Sequence, residues 1–244
     1  MEGGAVPGRE GPRGERSQGG SLAASGQPAV RFLSDEAFSL IRDMIVSLRL
    51  KPGAPLSERW LMQELGLGRT PIREALRRLA DQNLVKVYPR RGIFVSNVDI
   101  RDLRSISEVR TELEGAAARL AAERATPEER QAATALIEEL DASRGETDER
   151  QLIRFDQQIH RYTHRWSHNG FLAATLDEYF ALSLRLWWLV LDRVTRLDEA
   201  VQEHRELLEA IRDGQAERAE KVVRRHVTGF EQEIRRALWE PGPL

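Results

Sequence analysis

The sequence predicts a mainly α-helical chain in two parts: a small helical head ending in a β-hairpin, then a larger body of helices alone. Three observations carry this. Between Leu56 and Val95, two short helical patterns flank the turn Gly66-Leu67-Gly68 and give way to two β-rich runs. From Val98 onward, apolar residues recur at helical spacing with no further strand pattern. Charge divides at the same place: residues 1–98 hold 15 basic and 10 acidic residues, net +5, and residues 99–244 hold 22 and 29, net −7. A basic front on an acidic back suits a head that meets a polyanion.

Composition sets outer bounds. A chain of 244 residues has room for two modest domains, and 41% hydrophobic with 31% charged residues describes a soluble globular protein. No run of about 18 apolar residues marks a membrane span. The N-terminus lacks the apolar core of a signal peptide. The absence of cysteine excludes disulfides and thiolate metal sites. The simplest expected compartment is a microbial cytoplasm.

Residues 1–30, rich in Gly, Pro, Ser and Arg without apolar periodicity, are expected to form a disordered tail. The head is expected over residues 31–98. Its first helix runs from Ser34 to Leu48, with Ala37, Leu40, Ile41, Met44 and Ile45 at helical spacing, and Lys51-Pro52-Gly53 stops it. Ser57 caps a second helix that reaches about Leu65. After the glycine turn, Thr70 is the expected N-cap of a third helix, with Pro71 at its first position, where a missing N–H costs nothing. That helix turns Ile72, Ala75, Leu76 and Leu79 inward. Val85–Val87 and Ile93–Val95 form a hairpin around Tyr88-Pro89-Arg90-Arg91-Gly92.

The body, residues 99–240, reads as a six-helix bundle: about 100–125, 127–142, 147–168, 170–192, 195–213 and 215–239. Thr126-Pro127-Glu128-Glu129 is a capping box with Pro at the first helical position. Gly145 and Gly214 fall at breaks.

A helix with arginines at its entrance suits the DNA major groove, because arginine donates two parallel hydrogen bonds to guanine O6 and N7. Arg69, Thr70 and Arg73 occupy that entrance, and Arg77 shares the face of Arg73. Arg59 on the preceding helix is placed for a backbone phosphate, and Arg90, Arg91 and Gly92 for phosphates or the minor groove. Arg78 reads as part of a solvated helical face instead.

In the body, Asp156 and His160 are four residues apart and project from one helical face. His204 and His226 lie on the apolar sides of two later helices. One such histidine is ordinarily a satisfied core residue. Three of them with a carboxylate suit Zn²⁺ first, with Ni²⁺ and Mn²⁺ also compatible. His164 and His168 are left as non-ligands. Arg110 occupies an inward position among Leu103, Ile106, Leu113 and Ala117. A buried guanidinium needs an anion, either an internal carboxylate or an effector's. Trp187 and Trp188 read as core packing rather than as the wall of an effector cavity.

With these residues in place, the head resembles the GntR family of bacterial transcription regulators. The resemblance rests on Leu50-Lys51-Pro52-Gly53, Leu56-Ser57-Glu58, Gly68-Arg69-Thr70-Pro71-Ile72-Arg73-Glu74-Ala75-Leu76 and Arg91-Gly92-Ile93-Phe94-Val95. It implies a winged helix-turn-helix that binds a short palindromic operator in double-stranded DNA as a homodimer, with GT and AC in its half-sites. By position, Arg59, Arg69, Thr70, Arg73 and Gly92 match the family's DNA-contacting residues. The body resembles the FCD effector-binding domain through Arg110-Thr111-Glu112-Leu113-Glu114, Phe155-Asp156-Gln157-Gln158-Ile159-His160-Arg161, Glu203-His204-Arg205 and Arg225-His226. Six helices favour its VanR-like branch. Asp156, His160, His204 and His226 match its metal-binding set, with Ile159 where the family usually has Phe. The resemblance further implies a small carboxylate effector near the metal, for which Arg110 is the candidate clamp.

The expected function is a ligand-responsive DNA-binding regulator, with repression as its sign, and not an enzyme. Two alternatives stay open: a metal-responsive regulator without organic effector, and a metal-dependent hydrolase using the same three histidines and aspartate. No evident general base accompanies that set, which counts against the hydrolase.

Overall fold

A computed structural model of the protein describes residues 27–142, 149–193 and 197–239. Most of the expected tail, the break at Gly145 and the start of the helix expected at 147 lie outside the described residues.

The head opens with α1 (Gln27–Val46). This helix starts earlier than expected, so residues 27–30 belong to it and not to a tail. Pro28 falls in the first turn, where its missing N–H leaves no bond unmade. The helix stops at Val46; Leu48 takes φ +57°, and the Leu50 N–H closes the end by donating to the Met44 carbonyl at 2.9 Å.

Strand β1 (Pro55–Leu56) precedes α2 (Glu58–Leu65) and α3 (Arg69–Asp81), and β2 (Val85–Tyr88) and β3 (Gly92–Val95) complete the wing. The sheet has the order β1-β3-β2, antiparallel throughout, with Ile93 paired to Leu56 on one side and Val87 on the other. The hairpin was expected, but β1 was not: two residues beside Pro52-Gly53 are too short for an alternating pattern.

Ser57 caps α2, its hydroxyl accepting from the Trp60 N–H at 3.3 Å. Gly66 ends α2 in the left-handed region at φ +66°, a conformation cheap only for glycine. The cap of α3 corrects the sequence reading. Gly68 is the N-cap, in extended conformation, and Thr70 is already inside the first turn. The chain therefore enters the helix two residues sooner, which leaves both Arg69 and Thr70 in the first turn.

The body contains α4 (Leu103–Arg124), α5 (Pro127–Ala142), α6 (Glu149–Trp166), α7 (Gly170–Val190), α8 (Leu197–Arg212) and α9 (Ala216–Trp239). These are the six expected α-helices among the described residues, with one 3-10 turn, Ile100–Asp102, leading into α4 and another, Leu191–Arg193, following α7. The capping box forms in both directions, Thr126 N to Glu129 Oε2 at 2.9 Å and Glu129 N to Thr126 Oγ1 at 3.3 Å. Helix α4 lies against α6, α7, α8 and α9 and so sits at the centre of the bundle. No described helix is long and apolar enough to cross a membrane.

The hydrophobic core does not divide where head and body divide. One buried cluster joins Ile41, Ile72, Leu76 and Val95 of the head to Leu103, Leu184, Trp187 and Phe230 of the body. A second, wholly in the body, gathers α5, α8 and parts of α4, α6 and α9. Polar contacts cross the same seam. Arg42 on α1 donates to the Asp177 carbonyl of α7 at 2.5 Å, and Arg185 on α7 donates to the Ser96 carbonyl just after β3.

Candidate metal centre and nucleic-acid face

Three helices bring one donor set together. Helix α6 supplies Asp156 and His160 one turn apart, α8 supplies His204, and α9 supplies His226. The Nε2 atoms of His204, His226 and His160 stand 3.2, 3.4 and 3.7 Å from one oxygen, Asp156 Oδ1. All four donors lie within 4.8 Å of one another. Two donors on one ion, each about 2.1 Å from it, stand roughly 3–3.5 Å apart, so this spacing fits a shared cation.

Outer carboxylates set the orientation of the rings. His160 Nδ1 lies 3.0 Å from Glu114 Oε2, and His226 Nδ1 lies 3.1 Å from Glu203 Oε2. An imidazole that donates from Nδ1 to a carboxylate turns the Nε2 lone pair toward the centre. The Nε2 atoms of His160 and His204 are buried and make no directed hydrogen bond. Buried lone pairs converging on a carboxylate oxygen are unfavourable unless a cation lies among them. The residues present therefore fit a divalent metal.

Protonation follows the same geometry. Burial, reinforced by the neighbouring His226, pushes His204 down to about 4. Burial likewise lowers His160, against the pull of Glu114 and Asp156. Both shifts favour the neutral imidazole that ligation requires, whereas Asp156 and Glu203 raise His226 against the effect of burial. Burial alone would raise Asp156, but His160, His204 and His226 hold it well below the usual carboxylate range.

Glu114 joins this centre to a second layer. Its Oε1 accepts from Arg110 Nη2 at 2.9 Å, and its Oε2 is shared between His160 and His164, each at 3.0 Å. His164 reaches on to Asp177, 3.2 Å away on α7. Burial opposes the charge on His164, yet Glu114 and Asp177 raise it to about 9. Arg110 also donates to Ser183 Oγ at 2.8 Å, and its guanidinium lies over Phe180 and Phe230. Of the two anions expected for Arg110, the internal carboxylate is the one it meets. His168 pairs with Glu129 on the surface, away from the centre.

Beside the donors lies a narrow cavity of about 30 Å³, lined by Ile153, Trp187, Val201 and Phe230 together with Asp156, His204 and His226. Trp187 stacks on Phe230 with ring centroids 4.6 Å apart. Arg110 does not line this cavity, whereas Trp187, read from sequence as core, does. The sequence reading also missed Glu114 and Glu203. Both stand in the motifs that carry the resemblance, Glu114 one turn after an inward arginine and Glu203 beside His204, but with no role attached to either.

On the head, Arg59, Arg69, Thr70, Arg73 and Gly92 are all exposed. The first four stand on α2 and the front of α3. Gly92 opens β3 at φ +103°, beyond the reach of other residues without strain. Glu58, at the start of α2, receives Arg73 Nε at 2.9 and 3.1 Å and holds that side chain across the two helices. Arg78 packs back on α1, paired with Asp35 at 2.6 Å and lying over the Phe38 ring. It is an anchor of the head rather than part of a reading face.

Comparison with known proteins agrees with both halves. Residues 33–95 match the model for bacterial regulatory proteins of the gntR family, and residues 105–229 match the FCD domain. An HTH-type transcriptional regulator of Streptomyces ambofaciens is 30% identical over 201 residues, covering 80% of this chain and 82% of its own. YdhC of Bacillus subtilis, also an HTH-type transcriptional regulator, is 28% identical across 83% of this chain and 91% of its own. The Escherichia coli repressor RspR is 24% identical across 85% of this chain and 91% of its own. Among solved structures, Escherichia coli McbR shares the fold with a TM-score of 0.74 at 24% identity, covering 84% of this chain and 98% of that one. The chain is thus a transcriptional regulator of the GntR family, with an FCD domain behind its helix-turn-helix head.

Proposed function

We propose that this regulator is a repressor, binding a palindromic operator as a homodimer, whose affinity for DNA responds to a small carboxylate bound beside a divalent metal. The observation that supports it most is the convergence of three Nε2 atoms on Asp156 Oδ1, two of them buried without hydrogen-bond partners. Asp156, His160, His204 and His226 would hold the metal, Zn²⁺ before Ni²⁺ or Mn²⁺. When bound, it would supply a Lewis-acidic position for an effector oxygen. Glu114 and Glu203 fix the ring orientations, and Arg110 steadies Glu114 from behind. Arg59, Arg69, Thr70, Arg73 and Gly92 would form the DNA contacts.

The cavity sets a condition on the effector. A space of about 30 Å³ takes little more than water, whereas ligand pockets run to roughly 300 Å³ and more. Binding therefore requires Trp187 and Phe230 to part. Both belong to the core cluster that continues into the head, so opening this cavity would disturb the packing beneath the head. An effector acts only through such a difference between two arrangements.

The tightness of the cavity also favours a second reading, in which metal occupancy alone sets DNA affinity. Metal analysis and operator binding separate the two. The protein should carry about one metal per chain, and His160→Ala should lose it. Operator affinity that shifts with a carboxylate only in metal-loaded protein supports the effector reading. Affinity that shifts with buffered metal alone supports the sensor. Full metal content in His160→Ala would overturn both.

A further inference from the structure

At the seam between head and body lies a cavity of about 440 Å³, a size in the range of small-molecule sites. It is separate from the candidate metal centre. The head contributes Lys86 and Ser96; the body contributes Ser105 and Ile106 of α4 with Leu182 and Arg185 of α7. Arg185 is the unusual member. It is 2% exposed, yet among the described residues no carboxylate pairs with it. Nη2 donates to the Ser96 carbonyl, while Nε is buried without a partner. The Ser96 hydroxyl is likewise buried and unpartnered. Burial lowers the Arg185 pKa to about 10, and no acidic neighbour opposes it.

Elsewhere in this body a buried arginine has its anion: Arg110 meets Glu114 at 2.9 Å. A guanidinium held out of water without a counter-charge is costly, and removing one partner from such a pair is among the more destabilising changes known. Arg185 is built as half of such a pair. The cavity wall beside it supplies further donors in Lys86 and the Ser96 and Ser105 hydroxyls, and an apolar side in Ile106 and Leu182. Asp99 and Asp102 also border the cavity. Asp99 is already engaged by Arg101, with contacts of 2.7–3.2 Å to its carboxylate oxygens.

We propose that this seam cavity is a second ligand site, taking a small organic anion whose carboxylate or phosphate meets Arg185 while its apolar part rests on Ile106 and Leu182. Because Ser96 and Lys86 belong to the head and Arg185 to the body, the ligand would bridge the two. It would fix the wing relative to the bundle and so favour one arrangement of the reading heads. This differs from an effector acting through the metal, since it needs neither the metal nor the Trp187–Phe230 cavity.

The test uses the full chain after chelation, which removes any metal-assisted binding. Benzoate and phenyl phosphate are titrated in turn by calorimetry into wild type, Arg185→Met, Arg185→Lys and Ser105→Trp. Wild type should bind at least one probe saturably, and the stronger of the two names the anionic group. Arg185→Met should weaken that probe by about tenfold or more, with partial recovery in Arg185→Lys. Ser105→Trp leaves Arg185 untouched and fills the cavity from an exposed position on α4, so it should also abolish binding. Absence of saturable binding of either probe to wild type overturns the proposal. So does unchanged affinity in Ser105→Trp, which holds even if Arg185→Met fails to fold.

Discussion

Arg73 is not a free side chain waiting for DNA. Glu58 already holds it at 2.9 Å, so any base contact must compete with that carboxylate. Arg73→Ala should weaken operator binding by about 1–3 kcal/mol and relax sequence preference. An unchanged preference in a binding-site selection would remove Arg73 from the reading set. Titration at the centre gives a second residue-scale expectation, for chelated protein. His164 has its pKa raised from 6.5 to about 9 by Glu114 and Asp177 against burial. Its stabilisation is complete below pH 6.5 and is lost as pH rises through 9. Burial depresses His204 from 6.5 to about 4, so its contribution is present above pH 6.5 and lost as pH falls through 4. The chelated protein should therefore resist thermal unfolding most strongly near pH 6.5, and His164→Gln should flatten the alkaline side. An alkaline limb as steep as wild type's would show that His164 does not carry it. At this scale, Asp156 and His160 were readable because helical spacing puts them on one face. Glu114 was not, since a glutamate one turn after an arginine is equally the mark of an exposed pair, and only packing buries it.

The elements end where specific chemistry ends them. Thr126 and Glu129 exchange hydrogen bonds at the start of α5, so Thr126→Ala should cost about 1 kcal/mol in urea unfolding. Gly66 sits at φ +66° with open space around it, so Gly66→Ala should cost about 1 kcal/mol from backbone strain alone. A neutral Gly66→Ala would mean that α2 ends in some other conformation in solution. Capped ends such as Ser57 and Thr126 were legible because the cap is written in side-chain type. The start of α3 was not, because Gly68 supplies only backbone and Thr70 offered a better-looking cap. Strand β1 escaped for a different reason: its pairing partner, β3, lies nearly 40 residues further on, and two residues carry no period of their own.

At the scale of the molecule, the larger core cluster spans head and body. Leu184→Ala, at a 3% exposed position in that cluster, should lower stability by about 2–5 kcal/mol. It should do so for both halves in a single transition followed by tryptophan fluorescence and helical signal together. Two separated transitions in wild type would show instead that the halves fold independently. The seam itself was invisible in the sequence. Its contacts join Arg42 to Asp177 and Ser96 to Arg185, and neither pair leaves a local pattern. That seam has a consequence for how such regulators can be recombined. A head exchanged at a cut near residue 98 would leave the Asp177 carbonyl without Arg42 and set a foreign backbone against Arg185. A workable chimera must carry matching α1 and α7 surfaces along with the head. The unit of exchange is then larger than the DNA-reading fold, and new pairings of operator and signal would arise more readily by changing the proposed contacts Arg59, Arg69 and Arg73 in place than by swapping heads.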